Sequence, residues 1–120
     1  MNPVLVVEDS ADIREAIGSA LESDGFEVEL ACKGKEALKV LKQRRPFVIL
    51  LDLMMPVMNG WEFLQLAKSD RSLADIPVIV CSAAKDQNLS DVEFMRKPLD
   101  LSRLLYVVHR YFDASTIVPK

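Results

Sequence analysis

This sequence offers little for stapling, spanning a membrane or gripping nucleic acid. Its only cysteines, Cys32 and Cys81, lie far apart and outside any CxxC pair, which leaves a disulfide framework or zinc site without support. Both read as small buried apolar side chains. The single histidine, His109, has no second histidine or partner acid nearby in sequence, so a metal or phosphohistidine role has no basis. No apolar run approaches the roughly 20 residues a membrane helix needs. The opening "MNPVLVVEDS" has no basic segment ahead of its apolar run, so no signal peptide is expected and the cytoplasm is the expected location. The net charge is −3, and the basic residues gather only in short clusters at 42–45 and Arg96–Lys97. Without a basic stripe, no direct nucleic-acid binding is expected.

What is present is the material of one soluble domain. The 120 residues suit a single core. Short apolar runs alternate with helical periodicity. "PVLVV" (3–7), "FVILL" (47–51) and "IPVIVCS" (76–82) are apolar enough to be strands covered on both faces. "FEVEL" (26–30) alternates apolar and acidic residues, as at a sheet edge, and "EFMRK" (93–97) is a weaker strand candidate. Between them, Ile13, Ile17, Ala20 and Leu21 share one helical face, as do Ala37, Leu38 and Leu41, and Phe63, Leu64 and Ala67. A last helix (100–112) turns Leu101, Leu104, Leu105, Val108 and Phe112 inward. This alternation implies parallel strands with right-handed crossovers. Five strands suit an α/β, flavodoxin-like, doubly wound parallel sheet of order 2-1-3-4-5.

In such a sheet ligands bind outside the carboxyl ends of the strands, where the order reverses, here between the first and third strands. The first strand ends in Glu8-Asp9, the third in Asp52, the fourth in Ser82 and the fifth in Lys97-Pro98. Three carboxylates, a hydroxyl and an ammonium are thus expected around one pocket. Each taken alone has a plain explanation. Asp9 or Ser10 can cap a helix, Asp52 can end a strand in a turn, and Lys97 can be a solvated loop residue. Together at one sheet edge they point to chemistry. Clustered carboxylates repel one another unless a cation sits between them, and oxygen-only ligands suit Mg²⁺. An ionised aspartate is also a nucleophile that needs no general base and can form an aspartyl phosphate.

These residues resemble the receiver domain of bacterial two-component response regulators. The likeness covers nearly the whole chain. It runs through "VLVVEDS", "VILLDLMMPVMNGWEF" with its D-x-x-M-P-x-M-x-G pattern, "VIVCSA" and "FMRKPLD". The resemblance implies that Asp52 is the phosphoacceptor. Glu8, Asp9, Asp52 and the Met54 backbone carbonyl would hold Mg²⁺. Ser82 would be the switch hydroxyl, Lys97 would pair with a phosphoryl oxygen, Phe94 would be the switch aromatic, and Pro98 a cis-proline. It implies one receiver domain over 1–120, with 113–120 a tail or the start of a linker. The expected partners are a sensor histidine kinase or phosphotransfer protein and a downstream protein that the sequence leaves unnamed. The expected function is a phosphorylation-dependent switch, with self-catalysed transfer and slow autodephosphorylation, and not an enzyme in the usual sense.

One departure stands out. Only 14 residues, 83–96, separate Ser82 from Lys97. With a strand of about five residues among them, the family's fourth helix is expected to be missing or reduced to a turn. Partner choice at that face is therefore open, and a pseudo-receiver that binds partners without phosphorylation is the alternative. Two other readings are weaker. An aspartyl phosphatase needs a second acid two residues after the nucleophile, where Met54 stands. A flavin module needs a phosphate loop where "EDSADIRE" places acids. Met54, Met55, Met58 and Met95, and also Trp61, read as packing residues.

Overall fold

The computed structural model describes residues 2–52, 60–82, 93–96 and 100–115. Their elements are β1 (Val4–Val7), α1 (Ala11–Ser23), β2 (Val28–Ala31), α2 (Gly34–Gln43), β3 (Val48–Asp52), α3 (Gly60–Ser69), β4 (Val78–Ser82), β5 (Glu93–Arg96) and α4 (Leu101–Ser115). All strand pairs are parallel, in the order β2-β1-β3-β4-β5 expected from the alternation of strand and helix. The segment 83–92, on which the expectation of a missing or reduced fourth helix falls, lies outside the described residues. So does part of the expected tail, although α4 continues through Ser115 and the helix therefore runs three residues past Phe112.

Two cores explain why the central strands are apolar throughout. Side chains alternate across a sheet. Val4, Val6, Val48, Leu50, Ile79 and Cys81 face α1 and α4, where they meet Ile17, Leu21, Leu104, Val107 and Val108. Leu5, Val7, Ile49, Leu51, Val78 and Val80 face α2 and α3, where they meet Ala37, Leu41, Phe63 and Leu64. At about 25 cal/mol per Å² of apolar surface removed from water, this burial is the main source of stability.

Local chemistry sets the ends of the elements. Ser10 caps α1, its hydroxyl accepting the Ile13 N–H. Gly25 closes the same helix with φ of 93°, in the left-handed region glycine favours. Glu36 reaches back from the first turn of α2 to accept the Cys32 N–H, and the Cys32 thiol approaches its other oxygen. Cys32 is half-buried and hydrogen-bonded, where the sequence suggested a small buried apolar side chain. At the β2 edge, Arg44 pairs with Glu27 at 2.5 Å and Glu29 at 3.1 Å. Its guanidinium, by hydrogen bond and charge, holds the Glu27 carboxyl below its usual range. Charges on an outer strand also deter pairing with other chains.

Three apolar residues sit where the periodicity did not place them. Ile13 and Leu101, each 38% exposed, lie outside the core. Phe26 precedes β2 as a core residue, its ring tilted against Phe47 at 5.7 Å and edge-on to Phe112 at 5.6 Å. His109 joins this cluster at 4.7 Å from Phe26 and bonds Asp24 at 2.5 Å, tying α4 to the end of α1.

Two residues further along α4, the Tyr111 hydroxyl donates to Glu93 at 3.0 Å. Burial, then this bond to a carboxylate, raises the Tyr111 pKa above its usual value. A phenol so raised supports the fold below about pH 10, and that support fades as pH climbs through the folded-state value. Tyr111→Phe is expected to cost about 1 kcal/mol near pH 8. It should also flatten part of the alkaline fall in stability. Urea unfolding of both proteins at pH 8 and pH 11 measures this, and parallel losses in the two proteins would count against it.

Candidate functional site

The two central strands deliver their acids to one place by register. β1 and β3 pair Val4 with Val48 and Val7 with Leu51. One step further along that register puts Glu8 beside Asp52, and the alternation turns both toward the same side. Both are buried, at 3% and 5% exposure, whereas the other buried residues among those described are apolar or small. Asp9, next in the chain, is exposed. One carboxylate oxygen from each of Glu8, Asp9 and Asp52 lies within 4.8 Å of the others.

The loop that carries two of these acids is closely held. The Glu8 N–H donates to Ala31 and so extends the β1–β2 ladder past its last paired residue. The Glu8 carboxylate accepts the Ser10 N–H at 3.2 Å. Arg14, one turn into α1, sends Nη1 back to the Glu8 carbonyl at 2.9 Å and the Asp9 carbonyl at 3.4 Å. Sequence reading passed over Arg14, because a half-buried arginine on a helix looks like any surface charge. The available signal was its place five residues after Asp9, within reach of the loop.

Chemically, three carboxylates this close form an all-oxygen donor set. Such a set suits a hard divalent cation, which offsets their mutual repulsion. Buried Asp52 is the last residue of a strand covered on both faces, at the carboxyl edge of the sheet.

The remaining candidates are placed as follows. Ser82 ends β4 beside Arg96 of β5. Phe94 lies on β5 opposite Val80, half-buried against the core that faces α2 and α3. Met54, Lys97 and Pro98 lie outside the described residues.

Known proteins share the class that this fold and acidic edge define. The chain belongs to the response regulator receiver domain family, which it matches over residues 4–109. It is 33% identical to the transcriptional regulatory protein CrdR of Helicobacter pylori, over 95% of this chain and 56% of that protein. It is 39% identical to the phosphate regulon transcriptional regulatory protein PhoB of Pseudomonas aeruginosa, over 71% of this chain and 37% of that one. The chain therefore spans about half, or less, of the length of these curated relatives. Among solved structures, the chemotaxis protein CheY4 of Vibrio cholerae superposes with a TM-score of 0.84 at 30% identity, covering 92% of this chain and 98% of that one. The domain is thus of the class that acts as a phosphorylation-dependent switch in two-component signalling. No helix among the described residues is long and apolar enough to cross a membrane.

Proposed function

We propose that this domain accepts a phosphoryl group on Asp52 and is switched by it. The observation that carries the reading is the meeting of Glu8, Asp9 and Asp52, two of them buried, at the switch point of the sheet. Asp52 is the nucleophile. Its carboxylate oxygen bonds to phosphorus as the donor's leaving group departs with the bonding pair. Strand β3 fixes its position, and the buried surroundings limit competing water. Glu8 and Asp9, with the Met54 carbonyl, would hold Mg²⁺ beside it. When bound, the cation supplies charge neutralisation for the transferring oxygens. Lys97 would pair with a phosphoryl oxygen and Ser82 would follow it, with Phe94 answering from β5 and Pro98 as a cis-proline after Lys97.

The phosphodonor would be a sensor histidine kinase, a phosphotransfer protein or a small acyl phosphate. The output would be binding to a protein partner in the cytoplasm, with no direct contact to nucleic acid. Residues 1–120 would act as one receiver unit, and 113–120 would include the start of a tail or linker. Turnover would be slow self-dephosphorylation, which makes this a switch and not a metabolic enzyme.

Intact mass after incubation with acetyl phosphate tests the reading. A gain of one phosphoryl group is expected with Mg²⁺ and none in excess chelator, with the label lost in hydroxylamine as an acyl phosphate should be. A protein that binds Mg²⁺ but gains no mass would instead be a partner-binding pseudo-receiver.

A further inference from the structure

We infer that Arg14 is a positioning residue for the cation site, acting through the two peptide planes of the β1–α1 loop. The inference rests on the reading of Glu8 and Asp9 as cation ligands. Arg14 Nη1 holds the carbonyls of Glu8 and Asp9 at 2.9 and 3.4 Å. The peptide unit is planar, so a held carbonyl fixes the N–H on its far side. The plane between Asp9 and Ser10 is therefore pinned at both ends. Its carbonyl is on Arg14, and its N–H is on the Glu8 carboxylate at 3.2 Å. The plane between Glu8 and Asp9 is held by the shorter of the two Arg14 bonds. One guanidinium nitrogen thus sets the backbone from which both acids project and, through Ser10, the orientation of the Glu8 carboxylate.

The rest of the first turn reinforces this arrangement. The Arg14 N–H donates to the Ser10 carbonyl, and the Ser10 hydroxyl accepts from Ile13. The side chain of Arg14 therefore reaches back over a turn that its own backbone closes. It is half-buried, with its bond to the Glu8 carbonyl partly sheltered and its bond to the Asp9 carbonyl exposed. Groups that orient metal ligands from one shell out typically change affinity by about 10–100-fold when removed.

The sign of the effect separates positioning from simple charge. Arg14 carries a positive charge against the loop from which Glu8 and Asp9 project. If charge alone mattered, removing it would strengthen Mg²⁺ binding. If Arg14 positions the ligands, removing it weakens binding.

The test is titration of the wild-type domain, Arg14→Met, Arg14→Gln and Arg14→Lys with Mg²⁺ alone by calorimetry. Labelling rates with acetyl phosphate are then read across the same Mg²⁺ range. Methionine, glutamine and lysine all suit a helix, so α1 is kept. Arg14→Met and Arg14→Gln are expected to raise the Mg²⁺ dissociation constant about tenfold. Labelling at saturating Mg²⁺ should stay within about twofold of wild type, and Arg14→Lys should restore most of the affinity. Equal or tighter Mg²⁺ binding in whichever neutral variant folds would overturn the inference. A wild-type protein that binds Mg²⁺ and takes no label would overturn the phosphoacceptor reading instead, while the calorimetry would still decide the role of Arg14.

Discussion

Asp52→Asn is expected to abolish phosphoryl uptake and, without metal, to make the protein more stable. The first effect follows from chemistry. An amide oxygen in place of a carboxylate removes the nucleophile, and losses of this kind exceed about a thousandfold. The second follows from geometry. Oxygens of Glu8, Asp9 and Asp52 converge within 4.8 Å. Two unit charges at that separation repel by roughly 3 kcal/mol at an effective dielectric near 20, and by less where water and salt enter around exposed Asp9. Neutralising Asp52 relieves this repulsion. The thermal midpoint in chelator should rise by several degrees, at roughly 4 °C per kcal/mol for a domain of this size. The rise that Mg²⁺ gives the wild type should shrink in the variant, because a ligand that binds only the folded state stabilises it in proportion to its affinity. Intact mass and thermal scans, each with and without Mg²⁺, read both effects. Labelling of Asp52→Asn at the wild-type rate would place the acceptor elsewhere. A lower midpoint in chelator would show that repulsion among the carboxylates does not govern stability at this edge.

Phe63→Ala is expected to be the most damaging core substitution near the site. Phe63 is fully buried, packed in the core that Leu5, Val7, Ile49 and Leu51 close from the sheet. It lies in the first turn of α3, the helix that begins at Gly60, eight residues after Asp52. Truncation of a buried phenylalanine to alanine costs about 3–5 kcal/mol, part transfer and part cavity. Domains have only about 5–15 kcal/mol in all. The thermal midpoint should fall by about 12–20 °C, again at roughly 4 °C per kcal/mol. Phe63→Leu, which refills most of the volume, should lose far less. Urea unfolding with an unchanged slope would show that the loss belongs to the folded state. A loss below about 1 kcal/mol would mean that the ring does not fill a closed site.

The sheet was legible because burial on both faces leaves a plain mark. Val4 to Val7, Val48 to Leu51 and Val78 to Cys81 are apolar in unbroken runs, and only central parallel strands require that. The acidic edge was legible for the complementary reason, since Glu8, Asp9 and Asp52 each admit a plain reading alone but end neighbouring strands at the same sheet edge. The helix faces were read less well. Periodicity counts apolar residues but does not know where a helix lifts off the sheet, so it turned Ile13 and Leu101 inward and omitted Val107. The second strand was read two residues early because Phe26 resembles a strand residue. Its partners Phe47 and Phe112 are distant in sequence, and only the fold assembles their rings. The same holds for Asp24 with His109, 85 residues apart. Arg14 was invisible for another reason, since its partners are backbone carbonyls and a sequence lists only side chains.

The order of the strands also bears on how the chain comes together as it is made. β1 is the earliest strand yet sits inside the sheet, with β2 on one side and β3 on the other. Its first neighbour starts pairing with Val4 at Val28, but its second only at Val48. While a ribosome supplies those intervening residues, Val-Leu-Val-Val presents one unsatisfied apolar edge, the kind of surface that invites pairing with other nascent chains. The acidic pair at its end is also apart from Asp52 until β3 docks. The acidic cluster and the β1–β3 pairing are therefore completed together, and a chain stalled before Asp52 emerges has neither.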